Sequence, residues 1–281
     1  MKCVGIISLS NGLSPKNRCI IEELELLLKS INIKVIKALT IFAVDGSSCG
    51  TGKERGKELM KLYNNPTVEA IFDVSGGDLA NEVINYIDFN IIKGNPKPFF
   101  GYSDLSVILN SIYSQTNTPS YLYQIRNIIL DKTSTSFNKF KDFIMENNED
   151  LFKFNYNWIR GNHMNGILIG GNLRCTLKLS GTKYMPNFKD KIILIESLGG
   201  DVSKIATYLT QYKLMGAFDE ANGIILGNFT EMEEKALSPK VEDLILNIAD
   251  NPNLPIIKTY EIGHNYTSKG AVIGKYYSFD K

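Results

Sequence analysis

A doubly wound, mostly parallel α/β sheet domain, followed by a smaller mixed α/β domain, is the fold this 281-residue sequence predicts. Three observations carry that expectation. Apolar runs of strand length alternate with helical periodicity through the first half, no neighbouring runs are joined by a hairpin signal, and a polar, aromatic stretch near the middle precedes a new series of strands.

The elements follow in order. CVGIISLS (Cys3 to Ser10) is a short apolar strand, and Ser14 with Pro15 supplies an N-cap and a first helical residue. Ile20, Ile21, Leu24, Leu27 and Leu28 form the buried stripe of that helix. The pattern then repeats through KVIKAL, a helix from about Lys53 to Tyr63, EAIFDVS, a helix through LANEVINYI, KPFFGYS, a helix through VILNSIY, and SYLYQ. Such alternation requires crossover helices on both faces of a parallel sheet, and ligands of such sheets gather outside the carboxyl ends of the strands. Ser75 to Asp78 and Gly101 to Asp104 both fall there.

From Asn127 the chain turns polar and aromatic, with DKTSTSFNKFKDF, MENNED and FKFNYNW, before GILIGG resumes an apolar run. The expected division is therefore an N-terminal domain over residues 1–130, a linker region over 131–164 and a C-terminal domain over 165–281. The last contains GILIGG, LRCTLKL, KIILIES, a helix from about Ser203 to Met215, NGIILG, a helix near Pro239 to Ala249, and LPIIKTYEIG.

Composition narrows the function classes. Lys plus Arg total 31 against 30 Asp plus Glu, so no general field draws nucleic acid or anionic lipid. MKCVGIISLS lacks a signal-peptide pattern and no apolar run reaches the length of a membrane span, which predicts a soluble, cytoplasmic protein. Cys3, Cys19, Cys49 and Cys175 are scattered without a CxxC pair, so free thiols are expected and neither a metal site nor a disulfide framework.

GTGKERG (Gly50 to Gly56) is not a phosphate loop. The P-loop needs Gly where Ser47 stands and a hydroxyl where Glu54 stands. SGGD (Ser75 to Asp78) follows an apolar strand, and its glycines permit close backbone approach to a ligand; a tight turn with Asp78 capping the next helix is the alternative. GYSD ends the next strand, so Ser103 projects from the same sheet edge and can receive backbone donors from the SGGD turn, as an oxyanion hole requires. Leu105 replaces the second glycine of the GxSxG elbow, and a serine before a helix is often only a cap. Both readings of Ser103 stand on spacing alone.

A serine nucleophile needs a base, and the chain holds two histidines. His163 lies in the turn-like RGNHMNG, whereas His264 follows the apolar LPIIKTYEIG and begins a loop at a rigid edge, which favours His264. Glu196 follows the apolar Ile192 to Ile195, where a carboxylate requires a partner.

At these residues the chain resembles the LD-carboxypeptidase family of serine peptidases, which also contains the microcin C immunity peptidases. The matching elements are GKERGKELMKLYNNPTVEAIFDVSGG, GYSDLS, GGNLRCTLKLSGT, KIILIES, NGIILGNF and LPIIKTYEIGH, in the family's order along nearly the whole chain. The resemblance implies a catalytic triad of Ser103, Glu196 and His264, with an oxyanion hole from the backbone N–H groups of Asp104 and Gly77. SGGD, SYLYQIRN and the tail NYTSKGAVIGK depart from the family pattern.

The implied reaction is hydrolysis through an acyl-enzyme, without metal or organic cofactor, at an active site between the two domains. Its implied substrates are an LD-peptide bond, such as that to the terminal D-Ala of a murein tetrapeptide in peptidoglycan recycling, or a peptidyl or aminoacyl nucleotide of microcin type. Arg126 and Arg174 are candidates to bind a carboxylate, and Trp158 and Tyr123 to stack on a base. The resemblance also implies a homodimer. The non-enzymatic reading is a small-molecule binding protein on the same sheet, with GYSD and SGGD as plain turns.

Overall fold

The computed structural model describes all 281 residues. In the first half β1 (Cys3–Ile7), β2 (Lys34–Lys37), β3 (Ala70–Asp73), β4 (Phe99–Gly101) and β5 (Ser120–Leu122) run parallel. β1, β3 and β4 are buried along their whole length, as strands covered on both faces must be. The second half builds another sheet from β6 (Asn157–Arg160), β7 (His163–Asn172), β8 (Lys191–Ser197), β9 (Gly223–Phe229) and β10 (Ile256–Lys258). The chain closes with β11 (Ala271–Ile273) and β12 (Tyr276–Asp280).

Strand order is β11-β5-β4-β3-β1-β2 in one sheet and β12-β7-β8-β9-β10-β6 in the other. β7 through β10 are parallel, with β12 and β6 as antiparallel edges. The two-domain α/β architecture therefore stands. Domain limits drawn on sequence order meet two crossings: β11 returns to pair antiparallel with β5, and β6, within 131–164, joins the second sheet. The same stretch carries a helix, Thr135–Glu146, whose Phe140 packs with Phe72, Phe100 and Phe152 against the first sheet.

Local structure departs from expectation at three further points. LANEVINYI forms a 3-10 helix (Ala80–Tyr86) rather than an α-helix, and Asp78 does not cap it; the Ala80 N–H instead donates to Asp104 Oδ2 at 2.9 Å. LRCTLKL is a turn of α-helix and a 3-10 turn. His163 opens β7, where it sits 2.7 Å from Asp280 on the antiparallel edge strand. GTGKERG begins a helix (Gly52–Asn64) through a capping box between Thr51 and Glu54, so its glycines serve a helix start.

One apolar core runs from beneath the first sheet, through Phe99, Leu105 and Ile108, to Leu168, Ile169 and Ile193 of the second. A polar clamp fixes the register across it. Asn110, on the helix Ser106–Thr116, accepts from the Gly170 N–H and donates to its carbonyl, both at 2.8 Å, while Ser106 Oγ accepts from the Asn172 N–H at 2.8 Å. Asn110→Ala strands the buried Gly170 amide groups, at a cost of roughly 2–4 kcal/mol. Urea unfolding checks this, and a loss below about 0.5 kcal/mol would show that the clamp does not hold the two halves together.

Candidate active site

The carboxyl ends of β1, β3, β4 and β5 converge on one edge, where the loops after them form a cleft with the second sheet. Ser103 stands at the turn after β4 with φ +55°, a left-handed conformation that costs a non-glycine residue roughly 1–2 kcal/mol. A Cβ at Gly101 would lie 2.6 Å from Leu105 Cβ, so the turn needs glycine two residues before the serine and fills the later position with leucine. The elbow forms although its familiar letters do not match. Tyr102 precedes the 3-10 turn Ser103–Leu105 without a side-chain cap, and Ser103 itself lines the cleft.

The SGGD turn lies alongside. Gly77 has φ +125°, and a Cβ there would come within 2.2 Å of Asn11 Cγ, so conformation and space both demand glycine. Its N–H donates to no backbone acceptor. Asn11 accepts from the Asp78 N–H at 3.0 Å and its own N–H donates to Gly76 at 3.2 Å, which ties the β1 and β3 loops together.

His264 and Glu196 come from the second half. Glu196, fully buried near the end of β8, accepts from Asn172 Nδ2 at 3.1 Å through Oε1. Its Oε2 lies 2.8 Å from His264 Nδ1, an ion-pair separation with an approach too bent for a well-formed hydrogen bond. His264 lies in a loop beyond β10, a shorter strand than LPIIKTYEIG suggested. Its ring packs edge-on against Tyr102, centroids 5.0 Å apart, and its buried Nε2 has no protein partner. Burial, reinforced by the Glu196 charge, pushes the Tyr102 hydroxyl well above the usual phenol range. Ser103 and His264 line one cavity, and His163 is remote on the β7 edge.

Several side chains inside the quoted segments build the site in ways their motifs do not announce. Asp104 is fully buried: Oδ2 accepts from Ser10 Oγ at 2.6 Å and from Ala80 N–H, and Oδ1 accepts from Lys178 at 2.5 Å. Lys178 also donates to the Asp78 carbonyl at 2.8 Å, and Arg174 pairs with the Asp78 carboxylate. That hydrogen bond holds Asp78 below the usual carboxylate range. Two cations of the second half thus grip the SGGD turn of the first. Arg55, without exposed surface, collects the carbonyls of Leu9, Gly50 and Leu79 behind it. The i, i+4 spacing of Arg174 and Lys178 is the one sequence signal that could have pointed to the grip.

Of the binding candidates, Arg174 and Arg126 line the cleft. Tyr123 is instead packed in the first-sheet core near Phe140 and Phe152, and Trp158 sits on β6 beside Tyr156, so neither borders it. Three of the four cysteines are buried and Cys19 is exposed, all as free thiols. No cluster of three or more His, Cys, Asp and Glu side chains is placed to hold a metal ion, and no helix is long and apolar enough to cross a membrane.

Two family profiles match the chain in sequence order: the LD-carboxypeptidase N-terminal domain over residues 4–123 and the LD-carboxypeptidase C-terminal domain over residues 165–278. A probable murein peptide carboxypeptidase of Bacillus subtilis is 25% identical over 282 residues, covering 96% of this chain and 86% of the relative. The microcin C7 self-immunity protein MccF of Escherichia coli is 24% identical over 271 residues, covering 85% and 79%. A solved structure of MccF in complex with aspartyl sulfamoyl adenosine superposes with a TM-score of 0.84 at 22% identity, over 99% of this chain and 93% of that one.

Proposed function

The chain belongs to the LD-carboxypeptidase family, and we propose that within it this protein is a serine hydrolase whose triad is Ser103, Glu196 and His264. The observation that carries the reading is the convergence of three distant segments on one cleft: a strained serine, a histidine with an unpartnered Nε2 and a buried glutamate 2.8 Å from the other ring nitrogen.

In this mechanism His264 Nε2 takes the Ser103 proton as Oγ attacks the acyl carbon, and Glu196 holds the ring tautomer and stabilises the imidazolium. The proton then passes to the leaving amine as the C–N bond breaks. Water, activated by the same imidazole, attacks the resulting ester and restores the serine. The backbone N–H groups of Gly77 and Asp104 stabilise the oxyanion of each tetrahedral intermediate, an effect of about 3 kcal/mol per donor in serine hydrolases generally. Lys178, by gripping both the Asp104 side chain and the Asp78 carbonyl, sets the spacing between these donors.

An LD-peptide bond to a terminal D-Ala, as in a murein tetrapeptide, is the proposed substrate. The microcin-type reading rests on the likeness to MccF, whose solved complex holds an aminoacyl nucleotide analogue. Tyr123 and Trp158 do not border the cleft, so a stacked base would have to rest on Tyr208 or Tyr266. Release of D-Ala from a tetrapeptide, measured beside hydrolysis of aspartyl sulfamoyl adenosine, decides between them; the tetrapeptide is expected to turn over at least tenfold faster in kcat/KM, about 1.4 kcal/mol of discrimination. Equal rates would remove the preference. The family likeness extends the proposal to a cytoplasmic homodimer.

A further inference from the structure

We propose that Arg126 binds the free carboxylate of the departing amino acid, making the smaller lobe of the cleft a subsite for a small anionic leaving group. This rests on the hydrolase reading above and assigns its polarity and specificity.

The cleft has two lobes that share Ser103, Gly77 and Leu198. One, of about 450 Å³, is bordered by Asn172, Arg174, Lys204 and Glu231. The other, of about 240 Å³, is bordered by His264, Gln124, Arg126 and Tyr266. A serine in the shared wall places the acyl group in one lobe and the leaving group in the other. The imidazole that protonates the departing amine must stand on the leaving-group side. His264 borders the smaller lobe, so the leaving group belongs there and the acyl part in the larger lobe. The smaller volume lies below the roughly 300 Å³ at which sites for drug-sized ligands begin, which suits one amino acid better than a nucleotide.

Charge completes the assignment. Arg174 is already committed to the Asp78 carboxylate, whereas Arg126 has a buried Nε without a hydrogen-bond partner. Burial pushes the Arg126 guanidinium below its ordinary range, and Asp73, at the end of β3, offsets this only in part from beyond ion-pair distance. A half-buried guanidinium with no ion-pair partner and an unsatisfied Nε is costly. A substrate carboxylate supplies the anion, and its two oxygens match the guanidinium fork.

The test compares a tetrapeptide ending in free D-Ala with the same peptide ending in D-Ala carboxamide. The wild-type protein is expected to prefer the free acid by roughly 10- to 100-fold in kcat/KM. In Arg126→Met that preference falls to near one, chiefly through a higher KM for the acid, and Arg126→Lys retains part of it. Equal rates on acid and amide in the wild type, which need no variant to fold, would overturn the assignment, as would Arg126→Met lowering both rates equally. Hydrolysis of aspartyl sulfamoyl adenosine with neither peptide cleaved would overturn it while leaving the hydrolase reading standing. Activity on none of the three, with Ser103→Ala indistinguishable from wild type, would overturn both.

Discussion

Ser103→Ala is expected to lower turnover of an LD-tetrapeptide by roughly four orders of magnitude or more while leaving the fold intact, because no acyl-enzyme can form without Oγ. Ser103 is not the N-cap of its turn, so no capping bond is lost with the hydroxyl. Alanine tolerates φ +55° no worse than serine does, so the strain of the elbow is unchanged. Release of D-Ala followed by chromatography, with a thermal melt on the same samples, separates the two effects. Retained turnover in a folded variant would remove Ser103 from the chemistry, and a collapsed melt would mean that the serine serves the turn rather than the reaction.

His264→Ala is expected to cost a comparable factor, since serine and histidine act as one unit in proton transfer. The same interdependence predicts that Ser103→Ala/His264→Ala is no slower than either single variant. Additive losses in the double variant would argue that the two residues do not share a step. This variant also touches stability, which Ser103→Ala does not. It leaves the fully buried Glu196 with Asn172 as its hydrogen-bond partner and takes the imidazole from Tyr102, so its melting temperature should fall. Activity is therefore to be compared per folded molecule. Glu196→Gln keeps the shape of that partner but not its charge, and its loss of rate is expected to be smaller than that of His264→Ala.

The hydrophobic pattern made much of this molecule readable. β1, β3, β8 and β9 lie where their apolar runs predict, since a strand buried on both faces has to be apolar along its length. Ser103 and Glu196 were candidates for a related reason, since polar side chains at the ends of such runs fall at a sheet edge, whereas His264 lies in a loop well beyond β10 and was favoured on a strand longer than the one that forms. The helix expected through LANEVINYI is a 3-10 helix whose first N–H is taken up by Asp104, a partner distant in sequence that no local pattern announces. The stretch after Asn127 looked like a linker because it is polar and aromatic between two apolar series, yet its Phe140 and Phe152 pack against the first sheet.

By itself the sequence located β1, β3, β8 and β9 and narrowed the reactive groups to a few polar residues beyond apolar runs, because burial is a local property of the chain, while the choice of Ser103 as nucleophile over helix cap came with the family resemblance. Only the tertiary structure decided that Asn110 clamps the two sheets, that Lys178 and Arg174 grip the SGGD turn, that Tyr123 and Trp158 turn away from the cleft, and that Arg126 faces it without a partner. Each of those facts depends on which charges and hydrogen-bonding groups meet across long sequence separations. Such meetings are set by packing, and no local pattern encodes them.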